Sequence, residues 1–489
     1  MAWELSVDLD RNGDEPVYLC IARAVALDVG RGRLKPGARL PGTRQLAASL
    51  GVHRNTVVAA YDELIAEGWL VAQPARGCFI ALGSELERPR RFAPQAGLRE
   101  SVPERAGFDL PRAGFQLEEP RAPLRYDLSG GTPDVGRVPH GLLARAYRRV
   151  LGRDARRLLD YGDPRGHRGL REGLAEMLAR RRGLAARAED VVVTRGSQMA
   201  LWLSAHALLG AGDVVAVERF GYRPAWQALG ATGARLVPLA VDEHGMNVGD
   251  LEKLARRERV RAVYLTPHHQ YPTTAVLSPG RRLKLLELAR RERIAVIEDD
   301  YDNEMHYEGR PVLPLASADR AGVVIYLGTL SKILAPGLRI GFVVAPRGLA
   351  ERMAAQRSVI DRQGDLATEA AVAELLSEGE ITRHAWRGRR ENRVRRDALV
   401  DALGRRLGSV LELRVPHGGL ALWARVEERV DLERWVEAAA ARGVAVSPGR
   451  RFAFDGRAHP YLRIGFGRCD ARELATAVDL LAKALPRRG

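Results

Sequence analysis

From about residue 126 onward, short apolar runs rich in Val and Ile recur between longer stretches of helical period. Val191–Thr194, Val214–Val217, Arg235–Pro238, Ala262–Thr266, Ile294–Glu298, Val323–Leu327 and Gly341–Val344 are the runs. Runs of four or five residues without polar alternation predict strands buried on both faces, hence a mostly parallel sheet in an α/β domain. The first 82 residues are patterned differently. Thr43 to Leu50 predicts a short helix, opened by Thr43 and stopped at Gly51, with Leu46, Ala47 and Leu50 apolar. After a three-residue turn, His53-Arg-Asn-Thr-Val opens a second helix. Its Val57, Ala60, Tyr61, Leu64 and Ile65 recur at the period of a buried face, and Gly68 is its stop. Trp69–Gln73 and Cys78–Ala81, joined by a Pro74–Gly77 turn, predict two strands. A helix-turn-helix followed by a wing is the expected small domain, over residues 1–82. Residues 83–125 are rich in Pro and charge and carry no sustained period, so they read as a linker, leaving 126–489 as the large domain.

Composition narrows the class without deciding it. The chain has 489 residues, 46% apolar and 28% charged, which excludes a wholly disordered protein. No apolar stretch reaches the roughly 18 residues of a membrane span. The acidic start has no basic-then-apolar leader pattern, and Cys20, Cys78 and Cys469 form no disulfide or zinc framework. A soluble cytoplasmic protein is expected. Net charge is +16, but residues 1–82 hold nine basic against nine acidic residues, so bulk charge is a weak argument for nucleic acid. Arg383 to Arg396 holds seven arginines in fourteen residues and reads as a solvated helix face. Only five of the 77 basic residues are lysines, Lys35, Lys253, Lys284, Lys332 and Lys483. A lysine in apolar surroundings is therefore a candidate for chemistry that needs a deprotonatable amine.

Three strand ends carry such chemistry, where ligands bind in open α/β sheets. Asp299-Asp300-Tyr301 follows one run. Thr329-Leu-Ser-Lys332 follows the next, with Arg339 just beyond. Asp299 and Lys332 stand one helix and one strand apart, so both can reach one crevice; a structural ion pair is the alternative. Val193-Thr-Arg-Gly196-Ser197-Gln198 runs from a strand into a helix start, where free N–H groups hold a phosphate or are simply capped. Together these are the parts of a pyridoxal phosphate site: a phosphate cradle, a Schiff-base lysine and a carboxylate for the ring nitrogen. His268 and His269 have no further metal ligand at useful spacing, so no metal is expected. Trp202, Trp226 and Trp423 read as core or interface.

The segment LKPGARLPGTRQLAASLGVHRNTVVAAYDELIAEGWL resembles the GntR-type winged helix. That resemblance implies binding of double-stranded operator DNA through Arg44, His53, Arg54, Asn55, Thr56 and the wing glycine Gly77. His53 departs from the usual Ser or Thr. Residues 126–489 resemble fold-type I aminotransferases of class I. The resemblance implies that Lys332 binds the cofactor covalently, Asp299 pairs with the pyridinium nitrogen and Tyr301 hydrogen-bonds the ring hydroxyl. It also implies that Gly196, Ser197, Gln198, Thr329, Ser331 and Arg339 surround the phosphate, and that Tyr222 stacks on the ring. Arg463, in YLRIGFG, matches the arginine that forks onto a substrate or effector carboxylate. Tyr161 matches a segment at a homodimer interface. HHQYPTTAVLS departs from the usual Asn-Pro-Thr-Gly: Tyr271 stands at the Asn position and Thr274 at the Gly position. That form, the domain order and IEDDYDNE resemble the MocR-type regulators. The function expected from the resemblance is a pyridoxal-phosphate-dependent transcription regulator sensing the cofactor or an amino compound. A working aminotransferase with a DNA-binding module is the alternative.

Overall fold

The computed structural model describes residues 16–74, 76–81, 107–110, 124–309 and 312–486. The chain divides into two compact units, residues 1–112 and 113–489. Most of the expected linker, and Ala75 in the wing turn, lie outside the described residues.

In the first unit, helix α1 (Val17–Gly30) precedes α2 (Thr43–Leu50) and α3 (Arg54–Ala66), and strands β1 (Leu70–Gln73) and β2 (Gly77–Ile80) form an antiparallel hairpin. Ile21 and Val25 of α1 close the core over Leu46, Val57, Ala60, Tyr61 and Leu64, with Leu70 and Ile80 beneath. Tyr61 meets the need of its buried hydroxyl by donating to the Pro41 carbonyl at 2.8 Å. Ile65 departs from the expected buried face and is 36% exposed, since it lies beyond the arc that α1 covers. Thr43 is the first helical residue rather than the cap, and its hydroxyl faces Arg54 Nε at 3.4 Å. Gly51 takes the left-handed turn, φ +62°, that ends α2.

The second unit is built on a seven-stranded sheet. Its strands are β3 (Val191–Thr194), β4 (Val214–Glu218), β5 (Arg235–Leu239), β6 (Val260–Leu265), β7 (Ala295–Asp300), β8 (Val324–Thr329) and β9 (Gly341–Val344). Their spatial order is β3-β9-β8-β7-β6-β4-β5, and β9 alone runs antiparallel to its neighbours. All seven apolar runs are strands, and the sheet is mostly parallel as expected. β7 and β8 run further than the patterning indicated, so Asp299, Asp300 and Thr329 end strands instead of following them. A four-stranded antiparallel sheet near the C-terminus carries Arg463 on its strand Tyr461–Gly465.

The arginine-rich segment needs correction. It lies in the helix Glu380–Leu407, and Arg383, Arg387, Arg390 and Arg393 are exposed as expected, but Arg395 and Arg396 are buried. Arg395 pairs with Asp134 at 2.8 Å, and Arg396 with Glu308 at 2.7 Å. Trp226 and Trp423 are core residues, and Trp202 stacks on His206 with ring centres 4.1 Å apart. Cys20, Cys78 and Cys469 form no disulfide among the described residues.

Candidate cofactor site and DNA-binding surface

Strand alternation sorts the three acids at the end of β7. Asp299 shares the face of Ile297 and of Tyr264 on the adjacent β6, and the Tyr264 hydroxyl donates to its Oδ2 at 2.8 Å. Glu298 and Asp300 turn the other way. Glu298 accepts from the main-chain N–H groups of Leu315 and Ala316 at 2.7 and 2.9 Å, and Asp300 from the Tyr326 hydroxyl at 2.6 Å. Arg182, paired with Glu304, lies beside Asp300. Of the three, Asp299 alone lies on the Tyr264 face of the strand. Burial pushes its carboxyl up to about 7; the Tyr264 hydrogen bond opposes this, and the nearby Asp300 and Asp302 add to it.

Lys332 enters the same crevice from the turn after β8. Its Nζ donates to the Gly131 carbonyl at 2.8 Å. Removal from water, then the Arg463 guanidinium, lowers its pKa to about 8, against the pull of Asp302 and Asp299. Those mutual effects put Lys332, Asp299 and Arg463 in one electrostatic neighbourhood, as the sequence implied. Thr329 holds the turn: its hydroxyl accepts from the Ser331 N–H at 3.1 Å and donates to the Ile340 carbonyl at 3.3 Å.

The residues expected to cradle a phosphate lie where β3 turns into the helix Ser197–Leu208. Gly196 sits at φ +77°, and a Cβ there would lie 2.6 Å from Arg339 Nη2. Glycine is needed for both backbone and space. Arg339 Nη2 donates to the Arg195 carbonyl at 2.9 Å, which anchors the guanidinium across the helix start. Ser197 is the first helical residue, so its turn presents unpaired N–H groups there. Gln198 commits its side-chain amide nitrogen to the Pro224 carbonyl at 3.1 Å, so a phosphate would meet its main-chain N–H.

Aromatic rings wall the crevice. Tyr271 stands edge-on to Tyr222 at 5.5 Å and to Tyr301 at 5.9 Å, and Arg463 lies 4.5 Å over its face. Tyr222 feels both Asp299 and Arg339, and burial raises its pKa to about 12. Tyr301 donates its hydroxyl to the His269 carbonyl at 3.1 Å. Tyr271 therefore supplies a ring where the family usually has an amide. Thr274, at the usual glycine position, holds φ +62°, so the loop keeps the left-handed turn without glycine. Arg463 is buried, its Nε has no hydrogen-bond partner, and no carboxylate among the described residues pairs with it.

Several residues of this site were not legible in the sequence. Tyr264 and Gly131 reach it from separate elements and carry no motif, and Asp302 and Gln270, inside IEDDYDNE and HHQYPTTAVLS, had no role assigned to them. Gln270 donates to the Phe220 carbonyl at 2.7 Å and accepts from the Thr273 hydroxyl at 2.7 Å, which fixes the Tyr271 loop. Arg44, His53, Arg54, Asn55 and Gly77 are exposed on the first unit, and Thr56 is half-buried. His53 caps α3 by accepting the Asn55 N–H on Nδ1 at 3.2 Å, so it replaces the usual hydroxyl as a helix cap. Gly77 sits at φ +107°, with Arg39 Nε 3.3 Å from where a Cβ would be.

The sheet is that of a fold-type I aminotransferase, carried in one chain with a winged helix. Residues 127–481 match the family aminotransferase class I and II, and residues 18–80 match the gntR family of bacterial regulatory proteins. The chain belongs to the aminotransferase class I and II family and, in its full-length organisation, to the MocR-type regulators. It is 32% identical to the probable rhizopine catabolism regulatory protein MocR of Rhizobium meliloti, covering 97% of this chain and 95% of that one. It is likewise 32% identical to the HTH-type transcriptional regulator TauR of Rhodobacter capsulatus, covering 93% of each. Among solved structures, the α-aminoadipate aminotransferase LysN of Thermus thermophilus, complexed with N-(5'-phosphopyridoxyl)-L-leucine, superposes with a TM-score of 0.69. It is 30% identical, over 73% of this chain and 91% of that one. No helix of the described residues is long and apolar enough to cross a membrane.

Proposed function

We propose that the protein is a cytoplasmic, homodimeric transcription regulator that binds operator DNA through its winged helix and pyridoxal 5'-phosphate through its large unit. One observation carries the reading. Lys332 and the buried Asp299 act on each other in one crevice, Arg339 is anchored across the helix start at Ser197, and the same chain exposes the first residues of α3.

The residues present fit the cofactor. The N–H groups of Ser197 and Gln198 with the Arg339 guanidinium would hold its phosphate, and Asp299 its ring nitrogen. Tyr301 would meet the ring hydroxyl, Tyr222 the ring face, and Ser331 the phosphate edge. When bound, the cofactor supplies an aldehyde that condenses with amines. Lys332, its pKa lowered to about 8 chiefly by burial, would be the amine that meets that aldehyde. Asp299, its carboxyl pushed up to about 7 by burial, would hold a proton at the ring nitrogen. The aromatic wall restricts water. Arg463, buried and unpaired, is placed to fork onto the carboxylate of an amino compound. Such an effector biases DNA binding only by its differential affinity for the arrangements of the chain.

On the first unit, Arg44 in the first turn of α2 and Arg54, Asn55 and Thr56 at the start of α3 would meet a groove, with Gly77 at the backbone. A homodimer is supported by an exposed apolar patch. Leu159 and Tyr161 are each 75% exposed and Val359 87%, and Gln363 Nε2 joins the two segments through the Asp160 carbonyl at 3.2 Å.

Two measurements test the reading. In a mobility-shift assay, the protein should prefer DNA from upstream of its own gene to random DNA, and Arg54→Ala should weaken that binding without altering the bound chromophore. No preference would refute the regulator. Lys332→Ala should abolish the visible absorption of the bound cofactor while the circular dichroism persists; an unchanged spectrum would remove the cofactor assignment. The complete catalytic set favours a second reading as an aminotransferase. Turnover of an amino acid with 2-oxoglutarate at about 1–1000 per second would support it.

A further inference from the structure

We propose that His268, His269 and His306 form a binding site for a divalent transition-metal ion of the zinc type. The loops after two neighbouring parallel strands create it. His268 and His269 follow β6, and His306 follows β7, where it bridges to Gly418. The spacing of 37 residues between His269 and His306 hid this third imidazole from the sequence, where no metal was expected.

One nitrogen from each ring lies within 4.8 Å of those of the other two. The ring centres are 4.4, 6.0 and 6.1 Å apart. All three side chains are buried, with 2%, 1% and 7% exposure. Hydrogen bonding accounts for little of this. Both nitrogens of His268 and Nε2 of His269 have no partner, and neither nitrogen of His306 makes a full hydrogen bond, although the Glu308 main chain lies near it. Three imidazoles packed together with their nitrogens unpartnered are costly unless something accepts their lone pairs.

The exception is informative. His269 Nδ1 meets Asp302 Oδ1 at 2.9 Å, the carboxylate–histidine pairing that orients a metal-binding imidazole and leaves Nε2 as its lone pair. A Cβ at Gly418 would overlap the same ring, so glycine there permits the approach.

Three imidazole nitrogens without thiolates suit zinc and its first-row neighbours; magnesium and calcium prefer oxygen. Zinc–nitrogen bonds of about 2.0–2.1 Å require the nitrogens to close somewhat from their present separation. Three protein nitrogens would leave the fourth position of a tetrahedral site to another ligand. The three imidazoles include neither Lys332 nor the helix start at Ser197, and although Asp302 faces both His269 and Lys332, zinc binding is read without the cofactor, so its failure leaves the cofactor reading untouched.

The test uses full-length, tag-free protein dialysed against a chelator and titrated calorimetrically with zinc chloride or magnesium chloride. One zinc per chain should bind, with no heat from magnesium. His268→Ala and His306→Ala should each weaken zinc binding at least tenfold, and His417→Ala, on an exposed neighbouring ring, should not. No stoichiometric zinc binding, or undiminished binding in both variants, overturns the proposal. Should those variants fail to fold, zinc-edge X-ray absorption of the wild-type protein decides. A shell of imidazole nitrogens supports the site; sulfur ligands or an oxygen-only shell overturn it.

Discussion

At the scale of single residues, the site is a balance between burial and a few directed contacts. Asp299 ends a strand in apolar surroundings, and the Tyr264 hydroxyl is the contact that stabilises its charged form. Tyr264→Phe leaves that oxygen without a partner, which costs about 1–3 kcal/mol. A lower urea midpoint of the cofactor-free protein is expected, and an unchanged midpoint would show that the bond contributes nothing. The shifts also set opposite pH dependences. Asp299 titrates near 7 when folded, against 3.8 ordinarily, so the folded state binds more protons between about pH 4 and 7 and loses stability as pH rises through that window. Lys332 titrates near 8 against 10.5, so its contribution rises with pH from about 8 to 10.5. Asp299→Asn should flatten part of the descent between pH 5 and 7. Glu218 and Glu298, also raised to about 7, keep the remainder. Equal slopes in variant and wild type would contradict the assignment.

At the scale of elements, what the sequence showed and what it hid follow a physical division. The seven strands were legible because burial on both faces leaves an uninterrupted apolar run. Asp299, Lys332 and Gly196 were legible because chemistry at a parallel sheet gathers at strand ends. Tyr264 was not, because it looks like any strand aromatic until β6 and β7 pair and bring it beside Asp299. Arg395 and Arg396 misled for the same reason: their partners Asp134 and Glu308 are far away in the chain. Ile65 kept the helical period but missed the arc that α1 covers. The β3 turn is the element where sequence and structure agree most closely, and it makes a sharp prediction. Gly196→Ala forces a side chain to φ +77° and into the Arg339 guanidinium. Strain of about 1–3 kcal/mol and a displaced Arg339 should weaken pyridoxal phosphate binding by at least tenfold in an absorbance titration. Unchanged affinity would mean that the phosphate lies elsewhere.

At the scale of the whole molecule, the exposed apolar surface gives the organisation its most direct test. A chain with net charge +16 has ample polar surface, yet Leu159, Tyr161, Val359 and Ile360 stand in water, with Arg362 4.4 Å from the Tyr161 ring. Side chains of this size cost little in an interface and promote aggregation if left bare, so a second copy of the chain is the expected cover. Val359→Asp touches nothing in the core, since that residue is 87% exposed, and should leave the unfolding midpoint of the isolated chain nearly unchanged. In a homodimer the same substitution would bury an unpaired carboxylate and drive the copies apart. Sedimentation at micromolar concentration should then show the mass falling from two chains to one. If two winged helices grip paired half-sites, loss of the dimer also removes the second, tethered contact. Affinity for a two-half-site operator should drop by about 100-fold or more, with binding to a single half-site unaffected. A variant that keeps the wild-type mass places the interface elsewhere; one that dissociates yet binds the full operator as before shows that each chain reads DNA alone.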